Sequence, residues 1–190
     1  AYLEDLVKIG YLERHYTWSI KSEKKSTLSR YRLKDNYIRF YLKFIEPFLD
    51  KIIHREFAKP KAWDTIMGLA FENLVLNNRR FLLKILEIPF EELVCDGPYF
   101  QTKTGGQKGC QVDFLIQTSY NCLYPCEIKY SKREVGSAVI KQVQEKIEVL
   151  NMSSKSFSIR PVLVHVNGVA PSVRKSGFFA KIINFSDFLV

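Results

Sequence analysis

The stretch QVDFLIQTSYNCLYPCEIK, Gln111 to Lys129, decides the fold of this chain. Its two apolar runs each have the length of a strand, and the polar segment SYN separates them, so the pattern predicts an antiparallel hairpin. The first run contains Asp113, and the second contains Glu127 and Lys129. Charged side chains in buried strands are costly unless they are paired, exposed or bound to a metal ion. The hairpin therefore predicts a functional site as well as a fold.

Elements on both sides of this hairpin alternate between helix and strand. A strong helical pattern covers 62–82, and a strand or strand pair is predicted within 90–104. An amphipathic helix over 133–150 follows the hairpin, then a short apolar strand over 160–168 and a last edge strand within 178–190. Short, continuously apolar strands are typical of the sheets of α/β proteins. The order helix, strands, helix, strand therefore predicts an α/β domain in layers.

The first 34 residues have the pattern of a helix followed by a basic-tipped hairpin, which is the C-terminal part of a winged helix-turn-helix. Gly10 stands where a helix C-cap belongs, and the polar turn KSEKKS at 21–26 separates two predicted strands. Because the opening helices of such a domain are missing, we expect the chain to be a fragment of a longer one. A winged helix can contact DNA or serve as a protein–protein spacer. The DNA-contacting reading assigns nucleic-acid binding to Lys21, Lys24 and Lys25.

Residues 35–60 are predicted to form a helical linker to a domain that spans 61–190. The linker has apolar residues at helical spacing, and Asp35 or Asn36 can act as its N-cap. Pro47 is expected to kink or interrupt the helix.

Composition and net charge are compatible with several classes of function and do not select one. The net charge of +9 is compatible with a polyanionic partner, although many soluble proteins are as basic without binding nucleic acid. The four cysteines form no C-x-x-C pair and the histidines are scattered, which argues against a zinc site and favours reduced cytoplasmic thiols. No apolar run approaches the roughly 18 residues of a membrane span. A cytoplasmic protein without a membrane partner is therefore expected, and a homo-oligomer stays open.

The glycine-rich segment at 104–109 is predicted to be a turn. Its sequence resembles a phosphate-binding loop only superficially, because that motif needs Gly-Lys followed by Ser or Thr and then a helix. In this chain Lys108 precedes Gly109 and a strand follows. A nucleotide site of this kind is excluded.

The carboxylates of the hairpin predict a divalent metal site. Antiparallel pairing could bring Asp113 close to Glu127, and two like charges are unfavourable unless a cation neutralises them. Mg²⁺ takes one or two carboxylates together with water and phosphate oxygens. A third acid, Glu72, lies in the helical segment upstream, where on its own it is as consistent with an ordinary solvated helix face.

Taken together, these residues resemble the PD-(D/E)XK nuclease superfamily. The resemblance rests on Gly68, Phe71 and Glu72 in a helix, Asp113 in VDFLI, the triplet Glu127-Ile128-Lys129, and a following helix with Gln142. Within that superfamily the chain resembles the nuclease-like C-terminal domain of certain archaeal and bacterial AAA-type ATPases, whose linker is similar to YRLKDNYIRFYLKFI. The resemblance implies a restriction-endonuclease-like three-layer core, a mixed sheet flanked by helices.

The resemblance also implies metal-dependent hydrolysis of phosphodiester bonds in DNA. Its implied catalytic residues are Asp113, Glu127 and Lys129. Its implied ligands for Mg²⁺ or Mn²⁺ are Glu72, Asp113, Glu127 and the carbonyl of Ile128. Lys129 would orient the attacking water or stabilise the transition state, and Gln142 would be an accessory residue. The implied partners are DNA and the N-terminal ATPase domain of the same full-length chain.

Two alternatives remain open from the sequence. The first is a catalytically inactive DNA- or partner-binding module that regulates the ATPase. The second is an oligomerisation or docking domain in which Glu127 and Lys129 form only an ion pair. The triplet Glu23-Lys24-Lys25 in the basic hairpin shows that E-x-K alone is not specific.

Overall fold

The computed structural model describes residues 2–106, 108–153 and 157–189, so Gln107, within the predicted turn at 104–109, lies outside the described residues. The N-terminal elements are α1 (Tyr2–Lys8), β1 (Leu12–Trp18), β2 (Lys25–Leu33), α2 (Asn36–Phe40) and α3 (Leu49–Ile53). The elements that follow are α4 (Trp63–Asn77), α5 (Arg79–Ile85), β3 (Leu93–Gln101), β4 (Cys110–Thr118), β5 (Cys122–Lys129), α6 (Ala138–Ser153), β6 (Ser158–Ile159), β7 (Val162–His165), α7 (Pro171–Lys175) and β8 (Lys181–Asn184). None of the helices in these described ranges combines the length and the apolar character that crossing a bilayer requires.

The main sheet is mixed, with the strand order β3-β4-β5-β7-β8 and with β6 paired to β5. β3, β4 and β5 form an antiparallel meander, whereas β5, β7 and β8 run parallel. The change of direction occurs at β5, where helix α6 carries the chain back to the start of the next parallel strand. The carboxyl end of β5, which bears Glu127 and Lys129, is therefore next to α6 in sequence and in space.

Helices cover both faces of this sheet and create two apolar layers. On one face, α4 and α5 pack Phe71, Val75 and Leu82 against β-strand residues of the sheet, and the strand side of this layer comprises Phe114, Ile116, Cys126, Ile128, Val162, Val164 and Ile183. On the other face, α6 contributes Val139, Val143 and Ile147, which pack around Leu163. The predicted α/β class, a mixed sheet flanked by helices in three layers, is confirmed.

The predicted single helix over 62–82 is interrupted, which corrects the sequence-based expectation. α4 ends at Asn77 and α5 begins at Arg79, with Asn78 between them. The Asn78 side chain donates from Nδ2 to the Leu74 carbonyl at 2.8 Å. A side-chain amide that hydrogen-bonds the preceding turn competes with continuation of the helix, which explains the break.

The segment that links the N-terminal hairpin to α4 is helical but irregular. Asp35 caps α2, because its Oδ1 accepts a hydrogen bond from the Ile38 amide at 2.8 Å, as predicted. The helix then widens into a π turn over Tyr41–Ile45 and tightens into a 3-10 turn over Glu46–Phe48. Pro47, which cannot donate a backbone hydrogen bond, lies in the tight turn, so the predicted interruption is confirmed.

The N-terminal helix and hairpin form where the sequence predicts them. Gly10 follows α1 with φ +86°, a left-handed conformation that suits glycine at a helix C-cap. β1 and β2 pair antiparallel around a turn that contains Lys21 and Lys24. The division of the chain into units at 34 and 60 stays a prediction.

The hairpin is anchored on the main sheet by a buried polar contact. Trp18 and Ile20 pack with Leu115 and Tyr99 in an apolar cluster. Trp18 Nε1 donates to Gln117 Oε1 at 2.8 Å, and Gln117 Nε2 donates to the Ile20 carbonyl at 3.0 Å. Gln117 therefore satisfies one donor and one acceptor in a site without solvent.

Replacement of Gln117 by leucine is expected to destabilise the fold by about 2–4 kcal/mol, because a buried donor and a buried acceptor each lose their partner. Urea unfolding followed by tryptophan fluorescence measures the effect. Gln111→Leu is the matched control, since Gln111 on the same strand is exposed and its side chain accepts a hydrogen bond from Arg30 at the surface. Equal stability of the two variants would contradict the anchoring role.

Candidate active site

Strand β4 carries an irregularity at Asp113. β4 pairs with β3 through Leu115 with Gly97 and then through Val112 with Tyr99, so β4 advances by three residues where β3 advances by two. This extra residue is a β-bulge, which bends the strand and changes the direction of the side chain at that point. The strict alternation of side chains along β4 therefore breaks at Asp113.

Beyond the bulge, the Asp113 side chain replaces the backbone hydrogen bonds that join β4 to β5. The paired residues of β4 and β5 run from Thr118 with Cys122 to Phe114 with Cys126. Past this point, Asp113 Oδ2 accepts a hydrogen bond from the backbone amide of Ile128 at 2.9 Å. The carboxylate thus holds together two strands that are separating, and it lies beside Glu127, as the hairpin predicts.

The side chain that joins the two carboxylates is Lys146 of α6, which sequence reasoning missed. Lys146 Nζ lies 2.6 Å from Glu127 Oε2 and 3.7 Å from Asp113 Oδ1. On the other side of the glutamate, Lys129 Nζ lies 2.8 Å from Glu127 Oε1. The cluster of Asp113, Glu127, Lys129 and Lys146, which we call the carboxylate–lysine cluster, pairs two acids with two bases.

Burial strengthens the electrostatic interactions within this cluster. The Glu127 side chain is 3% exposed, so its charge depends on the two ammonium groups rather than on water. Burial and the neighbouring Glu127 raise the pKa of Asp113, although Lys146 and the Ile128 amide oppose that rise. Burial lowers the pKa of Lys146, but Asp113 and Glu127 outweigh it and raise the pKa overall. The lysine is therefore held in its charged form.

Glu72 lies near this cluster without joining it. Its pKa is raised by burial and by the charge of Asp113, against the opposing effects of Arg32 and Arg39. Among the described residues, the Glu72 carboxylate has neither a hydrogen-bond nor an ion-pair partner, and no three His, Cys, Asp or Glu side chains are close enough together to hold a metal ion. A role for Glu72 as a metal ligand, direct or through a water molecule, stays a prediction.

Glu72→Gln is expected to raise the melting temperature at pH 8 in the absence of metal. Because the pKa of Glu72 is raised in the folded chain, the ionised carboxylate destabilises the fold at pH values above that pKa. At pH values below the pKa of an unfolded glutamate, about 4, the carboxyl group is protonated in both states and has no such effect. The uncharged glutamine side chain removes this destabilising effect. A gain of about 1 kcal/mol corresponds to roughly 2–4 °C for a chain of this size. Thermal scans at pH 8 and pH 5 check this, and an advantage that is larger at pH 5 would contradict it.

An open cleft of about 560 Å³ lies against the cluster. Glu127 and Lys129 line it on the strand side, and Lys108, Gly109 and Cys110 line it at and just before the start of β4. The remaining lining residues belong to α6 and are Gln142, Glu145, Lys146, Glu148 and Val149. Gln142 thus reaches the cleft, as its predicted accessory role requires, whereas Gln144 is exposed and is not among the lining residues.

The predicted nucleic-acid-binding lysines lie away from the carboxylates. Lys21 and Lys24 are exposed in the hairpin turn, and Lys25 Nζ lies 3.7 Å from the ring centroid of Tyr16. The turn contacts the far part of β4, since Gln117 lies within 3.5 Å of Glu23 Oε1. From Asp113 to Gln117 a strand covers about 13 Å. The lysines of the hairpin turn are therefore separate from the carboxylate–lysine cluster.

The only sequence signal for Lys146 is its position on α6. The apolar residues Val139, Val143, Ile147 and Leu150 form the buried stripe of this helix. Lys146 lies at the margin of the stripe and one helical turn after Gln142, so both side chains can reach the same edge of the sheet. Many surface lysines share this position, because long stems commonly cover apolar surface. The position of Lys146 on α6 is therefore consistent with a role in the site but does not identify one.

Comparison with known proteins gives a short set of likenesses. No protein-family model matches the chain. Over 97 residues it is 34% identical to an uncharacterized protein of Methanocaldococcus jannaschii, a match that covers 48% of this chain and 21% of that protein. A crystal structure of a repair endonuclease from Pyrococcus abyssi is similar at 13% identity and a TM-score of 0.38, over 67% of this chain and 47% of that one. A complex of EndoMS with double-stranded DNA is similar at 17% identity and a TM-score of 0.35, over 62% and 43%.

The chain thus corresponds to about a fifth of the archaeal relative's length, since 21% of that protein is matched. It corresponds to less than half of each of the two endonuclease structures.

Proposed function

We propose that this chain contains a metal-dependent nuclease domain that hydrolyses phosphodiester bonds in DNA. The observation that carries the proposal is the convergence of Asp113 and Glu127, from adjacent strands, on a single cationic group at the wall of an open cleft. Carboxylates with only a structural role are seldom buried next to each other, because burying two like charges together is unfavourable. Sites of catalysis are where such arrangements are most often found.

The donor set fits a hard divalent cation. Carboxylate and carbonyl oxygens are the ligands that Mg²⁺ accepts in proteins. Asp113 Oδ1 and Glu127 Oε2 already share one cation, the Lys146 ammonium group, so they can share another. We propose Asp113 and Glu127 as the ligands of Mg²⁺ or Mn²⁺, with the Ile128 carbonyl as a further ligand and Glu72 acting through a bound water. Such an ion would supply Lewis-acid catalysis and a water of lowered pKa.

The remaining residues bind and orient the substrate. Lys129 contacts Glu127 and lines the cleft, where its ammonium group can stabilise negative charge that develops on a phosphate. Gln142 can donate or accept a hydrogen bond from the helix side of the same cleft. Lys108 adds positive charge at the entrance. These roles assign Lys129 to transition-state stabilisation and Gln142 to positioning.

A nuclease assay tests the proposal directly. The purified chain is incubated with single-stranded, duplex and branched DNA in buffers that contain Mn²⁺, Mg²⁺ or a chelator. Cleavage of at least one DNA form with metal, and none with chelator, is the expected result. Intact DNA in every form, at protein concentrations that demonstrably bind it, would overturn the proposal.

A non-catalytic module is the second candidate, and the position of Lys146 favours it. With this ammonium group in place, the acids of the cluster are neutralised without metal. On this alternative, the nuclease-like domain binds DNA or a partner and regulates an AAA-type ATPase of which it forms the C-terminal part in the cytoplasm. The resemblance of residues 31–45 to the linker of such ATPases is its further support. ATP hydrolysis by the full-length protein that is unaffected by loss of this domain would contradict it.

The hairpin lysines are expected to bind DNA. Simultaneous Lys21→Ala, Lys24→Ala and Lys25→Ala changes should weaken duplex binding and lower the slope of log K against log salt by about 3, since each phosphate contact releases about 0.9 counterion. Fluorescence anisotropy over a salt series measures this. The control removes three exposed lysines elsewhere, Lys84, Lys175 and Lys181. An equal loss of slope in both triple variants would exclude a specific role for the hairpin.

A further inference from the structure

Lys146 lies between the two acids that are proposed to hold a divalent cation. Its Nζ atom lies 2.6 Å from Glu127 Oε2 and 3.7 Å from Asp113 Oδ1. Asp113 and Glu127 are also the two acids that would hold a divalent ion. The contact of Lys129 with Glu127 differs, because it is made to the other oxygen, Oε1, at 2.8 Å. One lysine therefore lies between the acids and the other lies outside them.

The net charge of the cluster also indicates that Lys146 and a divalent ion exclude each other. Asp113 and Glu127 carry two negative charges, and Lys129 and Lys146 carry two positive ones, so the cluster is neutral as it stands. A divalent cation added beside Lys146 would meet a like charge at contact distance in a site with little water, which is strongly unfavourable. An ion held by both acids thus requires the ammonium group to leave.

The position of Lys146 allows that departure. Its side chain is 24% exposed and borders the cleft, whereas Glu127 is 3% exposed and fixed in the sheet. The same wall of the cleft carries Glu145 and Glu148, whose carboxylates provide another environment for an ammonium group. A flexible four-carbon stem gives the lysine more than one accessible rotamer.

We propose that Lys146 is an internal counter-ion that competes with divalent metal for the Asp113–Glu127 pair. The proposal rests on the proposed metal-dependent function and adds its regulation: the metal-free domain is held in a neutral, inactive state, and loading requires displacement of the lysine. Metal affinity is accordingly lower than two buried carboxylates would otherwise provide. A substrate or partner that draws the ammonium group away from the acids would raise that affinity.

Calorimetric titration of the 190-residue chain with MnCl₂ tests the competition. Lys146→Met keeps the length of the side chain without its charge and is expected to lower the dissociation constant at least tenfold. Lys146→Arg keeps the charge and should bind no tighter than the wild type. Lys129→Met is the matched control, since it removes the same charge from the outer oxygen of Glu127. Its gain in affinity should be under a third of that of Lys146→Met.

Each outcome decides the matter. Unchanged affinity in Lys146→Met, or an equal gain in Lys129→Met, overturns the competition while wild-type binding of Mn²⁺ preserves the metal site. Absence of Mn²⁺ binding in the wild type and in every Lys146 variant overturns the metal site and the proposed nuclease together. If Lys146→Met does not fold, Lys146→Gln takes its place, because its amide can still donate to Glu127 without a charge. The same tenfold criterion applies to it.

Discussion

Asp113→Asn is expected to reduce the rate of Mn²⁺-dependent DNA cleavage at least a hundredfold while leaving the domain folded. The asparagine side chain retains an oxygen that can accept the Ile128 amide, which Asp113 now accepts at 2.9 Å. It loses the negative charge that would hold the metal. Removal of one preorganised group that stabilises transition-state charge typically costs an enzyme about 10²–10³ in rate. Single-turnover cleavage at saturating DNA measures the effect on the chemical step.

The stability of this variant distinguishes a functional carboxylate from a structural one. Burial and Glu127 raise the pKa of Asp113 in the folded chain, so its charge costs stability at neutral pH. Asp113→Asn should therefore melt at the same temperature as the wild type or higher in metal-free buffer. A gain in stability together with a loss of activity is characteristic of groups retained for function.

Asp64→Asn is the matched control for this experiment. Asp64 is an exposed acid of α4 that pairs with Lys132 at the surface. Its replacement should leave both the cleavage rate and the melting temperature unchanged. Cleavage by Asp113→Asn within threefold of the wild-type rate would remove Asp113 from the proposed ligand set.

The strands that build the site were predictable because their signal is local. The apolar runs of β4 and β5 and the short turn between them specify an antiparallel hairpin, and the structure has these strands at Cys110–Thr118 and Cys122–Lys129. The proximity of Asp113 to Glu127 follows from that pairing. The bulge in β4 does not follow, because it arises from the register with β3, which the alternation of apolar residues does not encode.

The contacts across the layers were not predictable from the same pattern. Lys146 reaches Glu127 from a helix that begins after β5, and the direction in which α6 crosses the sheet decides which side chains arrive there. Gln117 is similar, because its polarity in an apolar strand has no local explanation until Trp18 and Ile20 supply its partners. In both cases the decisive neighbour is distant in sequence and belongs to another layer.

Lys146→Met is expected to destabilise the metal-free chain by about 3 kcal/mol, since breaking a buried ion pair strands its partner's charge. Lys129 retains its contact with Glu127, but Glu127 Oε2 and Asp113 Oδ1 would face each other without a cation. For a chain of this length the loss corresponds to a fall of roughly 6–12 °C in melting temperature. Urea unfolding in chelator measures the free energy, and Lys141→Met, at an exposed position of the same helix, is the control.

A double-mutant cycle separates the ion pair from the packing of the lysine stem. Glu127→Gln removes the charge that Lys146 neutralises, so the double variant Glu127→Gln, Lys146→Met should be more stable than the sum of the single changes implies. The expected coupling is about 1–3 kcal/mol. A coupling below about 0.5 kcal/mol would show that the stem, rather than the charge, accounts for the loss.

Mn²⁺ connects this stability to the metal site. An ion at 100 times its dissociation constant stabilises the folded state by about 2.7 kcal/mol. If the ion takes the place of the missing ammonium group, saturating Mn²⁺ should restore most of the stability that Lys146→Met loses, and it should stabilise the wild type less. The Glu127→Gln, Lys146→Met double variant lacks one proposed ligand and should gain little. A gain by the double variant equal to that of Lys146→Met would place the bound ion elsewhere on the chain, away from Glu127.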